Sequence, residues 1–190
     1  MRRFIFNLVS ALFSAVKFGI MKLLHVHHFY FDGIQRFSPN TEVILAERGT
    51  IRLGRHVRAH RRSKLLAMEG GTLEIGNNTA LGNGVSVNCM ESIVIGEGVQ
   101  IGPDTKIYDH DHDYRVPGGI GAGKFVTAPV TIGDNTWIGC NVVILRGTTV
   151  GKNCIVGAGS VLKGVYPDNS VIVQKRQTTV TVYPLERTEK

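Results

Sequence analysis

The chain has 190 residues, of which 43% are hydrophobic and 19% are charged, and its formal net charge is +7. This balance is typical of a single soluble domain with a continuous core. The positive charge favours an anionic partner. Because no basic motif interleaved with aromatic residues is present, we expect a phosphorylated cofactor or a membrane surface rather than nucleic acid. The three cysteines have no paired spacing, which argues against a disulfide framework and for a reducing cytoplasm.

Residues 1–33 are predicted to form an amphipathic α-helix and a connector. The segment is apolar nearly to Leu24, and its polar residues fall at helical spacing in one narrow stripe: Asn7, Ser10, Ser14 and Lys17. We expect the wide apolar face to pack on the rest of the protein or on a sister subunit. A second hypothesis is peripheral contact with an acidic membrane. Lys17 and Lys22 interrupt the apolar run, which argues against a signal peptide and a transmembrane span.

A looser repeat begins at Thr41, and its first part is basic. The basic side chains are Arg55, Arg58, Arg61, Arg62 and Lys64. Such a run is most often a solvated face, and an anionic acceptor or lipid is the minority interpretation. Three histidines precede it, at positions 25, 27 and 28. No cysteine or carboxylate pattern completes a site around them, so we expect no metal.

Residues 132–160 repeat in sixes. A branched aliphatic residue opens each hexad, glycine follows it in four of the five, and a small or modest side chain lies four positions on. A period of six matches neither an amphipathic helix nor an ordinary strand. It predicts an all-β fold, a parallel β-helix of stacked three-sided coils, with the aliphatics stacked inward and glycine in the tight corners. We expect this domain to cover residues 34–170.

The hexad register is lost after Ile107 and resumes at Ile132. Residues 108–129 are polar and glycine-rich, and they begin with Tyr108-Asp-His-Asp-His-Asp-Tyr114. We expect a projecting functional loop. His110 and His112 are candidates for a general base, because a neighbouring carboxylate can orient an imidazole that titrates near neutral pH. The alternative is a solvated hydrophilic loop. Residues 171–190 are predicted to form a strand and a tail.

The hexads around Trp137-Ile138-Gly139 and Ile155-Val156-Gly157-Ala158-Gly159-Ser160 resemble those of the left-handed β-helix acyltransferases built from hexapeptide repeats. The nearest group is the galactoside and maltose O-acetyltransferases, with relatives that acetylate bacterial surface polysaccharides. The similarity covers Ile75 to Ser170. The left hand of the coil is implied by this resemblance alone, because the general preference for right-handed crossovers would give the other hand. The family arrangement implies a homotrimer with coenzyme A in the groove between two subunits.

The resemblance also implies the site. Counted from the Ile95-Gly96 hexad, the family's catalytic histidine matches His112 rather than His110, and its oxyanion-stabilising backbone N–H matches that of Cys140. The implied coenzyme positions are Cys140, Ala158, Lys163 and Gly164. The family usually has lysine where this chain has Gly164, and a Gly-x-Pro-Ala turn where it has Gln174-Lys175-Arg176-Gln177. We therefore assign Lys175 and Arg176 to the coenzyme phosphates. Acceptor-binding candidates are Asn88, Trp137 and Asp109.

The resulting prediction is an O-acetyltransferase that uses acetyl-CoA and a sugar or glycolipid acceptor, in the cytoplasm or at the inner membrane face. An amino-sugar N-acetyltransferase would look the same in sequence, since the same base serves an amine. A zinc enzyme of the carbonic anhydrase kind needs three histidine ligands, and no third histidine follows the loop. A purely structural β-helix would account for the repeats but not for the loop.

Overall fold

The computed structural model describes residues 2–175 and 177–181. An α-helix, Arg2–Leu24, is followed by a left-handed parallel β-helix with three flat sides, here called faces A, B and C. Within the described residues the chain completes six coils and two sides of a seventh. The fold class predicted from the hexads is confirmed.

Each face is a parallel sheet that receives one strand from every coil. Face A contains Phe29–Phe31, Thr50–Leu53, Thr72–Ile75, Ser92–Ile95, Val130–Ile132, Thr149–Val150 and Val165–Tyr166. Face B contains Arg36–Phe37, Arg58–Ala59, Ala80–Leu81, Gln100–Ile101, Trp137–Ile138, Ile155–Val156 and Val171–Ile172. Face C contains Glu42–Leu45, Lys64–Ala67, Ser86–Cys89, Lys106–Tyr108, Val143–Ile144 and Val161–Leu162. The edge between two faces is named by both letters, as in the C–A edge.

The inward stack of aliphatic side chains is present as predicted. On face A, one register position through four consecutive coils is occupied by Ile75, Ile95, Ile132 and Val150. All four are buried. The small residue of the hexad is buried too: Thr136 Oγ1 donates a hydrogen bond to the Gly151 carbonyl at 2.9 Å. The core is therefore an apolar column, and a buried hydroxyl such as that of Thr136 is satisfied by the backbone of the next coil.

The hexad glycines are needed for a reason other than the one predicted. Gly102 is not in a left-handed conformation. A Cβ built on it would lie 2.6 Å from the backbone nitrogen of Cys140 in the next coil, so any side chain would collide with the main chain. The left-handed φ angles fall two residues after such glycines, as at Asn135 (56°) and Asn153 (54°). Asparagine tolerates this conformation. Asparagine therefore occupies many of the left-handed corner positions, and glycine permits the close approach of the backbones of consecutive coils.

The amino-terminal helix closes the open end of the first coil with its polar side. The Phe18 ring is fully buried and packs against the rings of Phe29 and Phe37, with centroids 5.2 and 4.9 Å away. The Ser14 hydroxyl accepts a hydrogen bond from the Phe37 N–H at 2.8 Å, and Lys17 Nζ donates to the Thr41 carbonyl at 2.8 Å. The narrow polar stripe therefore contacts the coil. The wide apolar face points away from it, so this face does not pack on the rest of the chain as one expectation had it, and packing on a sister subunit stays a prediction.

At the other end, one side chain pairs with the last strand of face C. The Gln174 amide accepts a hydrogen bond from the Val161 N–H at 3.0 Å and donates one to the Val161 carbonyl at 2.7 Å. It thus reproduces the pairing of a backbone peptide. Phe29–Phe31 precedes the predicted domain boundary at residue 34, and Val171–Ile172 follows the one at residue 170. The three predicted segments (1–33, 34–170 and 171–190) stay a prediction.

Candidate active site

The interruption of the hexads is a β-hairpin that leaves the coil at the C–A edge. Its strands, His110–His112 and Phe125–Thr127, pair antiparallel, with His110 opposite Thr127 and His112 opposite Phe125. At its base the Ala128 N–H donates to the Asp109 carbonyl at 2.8 Å. The tip contains a short 3-10 helix, Gly119–Ala122. We call residues 109–128 the histidine arm. The predicted projecting loop is therefore an ordered element that starts with the two histidines.

Asp109 fixes the base of the arm to the coil. Its side chain is 0% exposed, and its carboxylate accepts hydrogen bonds at 2.8–3.1 Å from the backbone N–H groups of Met90, Glu91 and Ser92. His110 Nδ1 lies 3.0 Å from Asp109 Oδ1. Burial alone raises the pKa of Asp109, but the hydrogen bonds from His110 and from the backbone outweigh it and hold this pKa below its ordinary value. Asp109 is therefore a buried carboxylate.

This geometry corrects the assignment of Asp109 to acceptor binding. A side chain with no exposed surface, whose oxygens are already occupied, cannot also contact a sugar. Cys89 is buried beside it. Burial, together with the charge of Asp109 and a hydrogen bond to it, raises the pKa of the Cys89 thiol far above its ordinary value. Cys89 therefore stays protonated and is no nucleophile. Both residues support the arm from within the coil.

The two histidines share one aromatic neighbour but differ in exposure. The His110 ring meets Phe125 edge-on with centroids 5.6 Å apart, and the His112 ring lies over the same phenyl ring at 4.5 Å. The His110 side chain is 15% exposed, whereas His112 is exposed. Because the Asp109 carboxylate can only accept, a neutral His110 carries its proton on Nδ1. His110 is thus held by the coil, and His112 is the one accessible to a ligand.

An ion pair ties the arm to the next coil. Arg146 Nε lies 2.6 Å from Asp111 Oδ2, and Arg146 follows the face-C strand Val143–Ile144. Asp111 lies between the two histidines, so this contact limits the movement of the strand that carries them. The partially exposed pair contributes little to global stability. Nothing in the hexad pattern indicates the roles of Arg146 or Phe125, because both depend on how the arm folds back on the coil.

Asn88 lies beside the arm, whereas other predicted site residues lie on other edges. Asn88 is the register partner of Tyr108 on face C, and its amide donates to Ser86 Oγ at 3.0 Å. Trp137 is 57% exposed on face B. A groove of about 170 Å³ runs beside it. A larger cavity of about 590 Å³ on face A contains none of the predicted site residues.

The predicted coenzyme positions also lie apart from the histidines. Cys140 and Ala158 are exposed at the B–C edge of consecutive coils, at the far end of face C from the arm. Lys163 and Gly164 are at the C–A edge, two coils beyond the arm, and Lys175 follows the last strand. Arg176 lies outside the described residues. One chain therefore carries Asn88 on face C, where its register partner Tyr108 leads into the arm, and leaves Trp137, Cys140 and Ala158 on a different side.

Comparison with known proteins identifies the repeat. Residues 129–164 match the family model described as bacterial transferase hexapeptide (six repeats). Over this range the hexads of the chain are similar to those of that family. A galactoside O-acetyltransferase of Escherichia coli is 32% identical to this chain over 106 residues, which are 54% of this chain and 50% of the relative. A Mycobacterium tuberculosis protein named "Probable acetyltransferase" is 35% identical over 130 residues, 67% of this chain and 42% of the relative.

The fold recurs in solved structures. A mutant of AntD, an N-acyltransferase from Bacillus cereus in complex with dTDP and coenzyme A, superposes with a TM-score of 0.63 at 18% identity. The match covers 80% of this chain and 84% of that one. At this identity the likeness concerns the fold. The chain spans about half, or less, of the length of the first curated relatives it matches, 42% and 52%.

No group of three or more His, Cys, Asp or Glu side chains comes together as a metal site within residues 2–175 and 177–181. The amino-terminal histidines accordingly form no such cluster with their described neighbours. The groups available for chemistry at the C–A edge are two imidazoles, with a buried carboxylate beside that of His110.

Proposed function

We propose that this protein transfers an acetyl group from acetyl-CoA to a sugar hydroxyl, in polysaccharide or glycolipid synthesis. The observation that carries the proposal is the histidine arm: two imidazoles on one strand, with a buried carboxylate beneath them, at the single long interruption of a hexapeptide coil. A structural coil needs no such arm. The names of the relatives support the reaction class, and coenzyme A in complex with AntD supports the donor.

In this mechanism His112 is the general base. Its exposed imidazole accepts the proton of the acceptor hydroxyl as the oxygen attacks the thioester carbonyl. The tetrahedral intermediate collapses with cleavage of the carbon–sulfur bond, and the imidazolium returns the proton to the departing thiolate. Asp109 and His110 act as positioning residues, because His110 packs on the phenyl ring of Phe125 over which His112 lies.

The Cys140 backbone N–H is the proposed oxyanion donor. A donor of this kind stabilises a transition state by about 3 kcal/mol in other enzymes. A main-chain group serves here, so the cysteine side chain is no obstacle. Lys163, Lys175 and Arg176 are the proposed contacts of the coenzyme phosphates, and Ala158 and Gly164 are the proposed lining of the coenzyme groove. Asn88 and Trp137 are the proposed acceptor contacts. A cytoplasmic location follows from the donor and fits the free thiols of this chain.

We also propose a homotrimer, because one chain separates the two parts of this site. The histidine arm is at the C–A edge, whereas Cys140 and Ala158 are at the B–C edge. Side-by-side packing of triangular coils can place the arm of one subunit against the B–C edge of its neighbour. Multi-angle light scattering should give a mass three times that of the chain at assay concentration. A stable, fully active monomer would contradict a site shared between subunits.

The reaction itself is tested by thiol release from acetyl-CoA with a panel of sugars, sugar nucleotides and amino sugars. We expect acetyl-dependent thiol release with a hydroxyl acceptor, and a product whose ester is cleaved by mild base. A base-stable amide formed only on amino sugars would assign the protein to N-acetylation instead. No release with any acceptor, from a trimeric preparation that binds coenzyme A, would argue against transfer to a sugar.

A further inference from the structure

We propose that the outer face of the amino-terminal helix, together with the basic side chains of the first two coils, binds the surface of a bilayer containing acidic lipids, with the helix lying in the membrane plane. This function is additional to acetyl transfer and independent of it. It is carried by three observations: the face that the helix exposes, the contacts that prevent it from turning over, and the distribution of charge along the chain.

The exposed face of Arg2–Leu24 is an uninterrupted aliphatic stripe. Its eight side chains are between 47% and 78% exposed: Ile5, Leu8, Val9, Leu12, Val16, Ile20, Leu23 and Leu24. An apolar stripe along the outside of a helix indicates a contact that the isolated chain does not supply. Helices of this kind bind membranes by burying the apolar face at the boundary between headgroups and acyl chains.

Contacts on the opposite side fix the orientation of the helix. Phe18 completes the core of the first coil, and Ser14 pairs with the backbone of Phe37. The segment Ile5–Leu24 is long and apolar enough to cross a membrane, by length and composition. Crossing would require detaching Phe18 and uncovering the aromatic cluster beneath it. A helix that stays on the coil can instead present its outer face to the bilayer surface.

The positive charge of the chain is concentrated at this end. Residues 1–64 contain twelve Lys and Arg and three Asp and Glu, a net charge of +9, whereas residues 65–190 contain ten and twelve, a net charge of −2. The first 31 residues contain no acidic side chain. Each basic side chain near the surface of an acidic membrane raises the binding constant roughly fivefold. The charge therefore selects acidic lipid.

Individual basic groups lie at the flank of the helix. The Arg61 guanidinium lies 5.5 Å from the Phe6 ring centroid, and a small groove between helix and coil is lined by Phe6, Arg36 and Arg58. Lys22 lies 5.5 Å from the Phe31 ring centroid. An apolar stripe with cations along its borders is complementary to an acidic bilayer, in which anionic headgroups cover apolar acyl chains. Pairing of two such ends from different molecules would bring like charges together, which disfavours a second copy as the occupant.

The experiment is co-sedimentation of the full chain with vesicles of phosphatidylcholine alone and of phosphatidylcholine mixed with phosphatidylglycerol. We expect binding to the mixed vesicles that weakens as salt is raised. The variant Leu12→Asp/Val16→Asp should reduce this binding about a hundredfold or more, since it places charge in the apolar stripe. Arg58→Gln/Arg61→Gln should reduce it by roughly thirtyfold, and only on the acidic vesicles.

The matched control is Val165→Asp/Val171→Asp, which changes two exposed aliphatic residues at the opposite end of the coil and should bind vesicles like the wild type. Light scattering of each variant tests whether the outer face of the helix binds a second copy of the chain instead of a bilayer. If the Leu12/Val16 variant loses its oligomeric state, or if wild-type protein sediments with neither vesicle, the proposal is overturned. Neither result depends on acetyl transfer, so the proposed reaction is tested separately.

Discussion

His112→Ala should lower the turnover number for acetyl transfer by about 10²- to 10⁴-fold, the range that general-base catalysis contributes. His110→Ala should cause a much smaller loss, because its imidazole is turned towards Asp109 and acts on the acceptor only through the position of the arm. Initial rates of thiol release at saturating acetyl-CoA measure both effects. The dissociation constant for coenzyme A, from calorimetry, should stay nearly unchanged in both variants.

A control histidine keeps this comparison specific. His27 is exposed at the other end of the molecule, and His27→Ala should leave the rate with a soluble acceptor unchanged. Equal losses from His110→Ala and His112→Ala would contradict the assignment of the base to His112 alone, and a loss from His110→Ala alone would transfer that role to His110. That outcome has a structural rationale, because His110 is the imidazole with the carboxylate partner, whereas His112 is chosen for its exposure and for its position in the family pattern.

Asp109→Ala should lower the free energy of unfolding by about 3 to 5 kcal/mol. The change removes the acceptor of three backbone N–H groups at a buried corner and leaves them without partners. Urea denaturation followed by circular dichroism measures the effect. Asp109→Asn should cost less, because one amide oxygen can still accept. Asp111→Ala is the control: its ion pair with Arg146 is partly exposed, and the loss should stay within about 1 kcal/mol.

The Asp109 contribution should also depend on pH in a defined direction. The pKa of this carboxyl is lower in the folded than in the unfolded chain, so its contribution is fully present above the ordinary carboxyl pKa of about 3.9. It is lost as the pH falls below that value through the lower folded pKa. The stability difference between wild type and Asp109→Ala should therefore be constant near neutral pH and shrink in acid. A difference that grows on acidification would show that Asp109 is protonated in the fold.

Periodicity predicted the coil because the spacing of six reports directly on which side chains stack. Ile95 and Ile132 occupy one register position although the whole arm separates them in sequence. The hand of the coil, by contrast, is not encoded in spacing, and only resemblance supplied it. The helix between residues 2 and 24 was predictable, but its contact face was not, since Ser14 and Lys17 meet unpaired backbone groups that no pattern in the helix reveals.

The site was predictable to the extent that it interrupts the repeat. A break in register located His110 and His112, and an acidic neighbour was evident beside each of them. The sequence could not distinguish Asp109 from Asp111, although one is buried under three N–H groups and the other pairs with Arg146 at the surface. Both are sequence neighbours of His110. Their difference arises from where the corner of the coil ends, which is a property of the fold rather than of local composition.

Ser14 and Gln174 have a shared consequence for the solution behaviour of the molecule. A stack of parallel strands ends in open rows of N–H and C=O groups, and such rows recruit further strands from other molecules. The Ser14 hydroxyl occupies the Phe37 N–H at one end, and the Gln174 amide occupies both groups of Val161 at the other. The two side chains thus remove backbone groups to which a strand of another molecule could pair, and disfavour end-to-end association there.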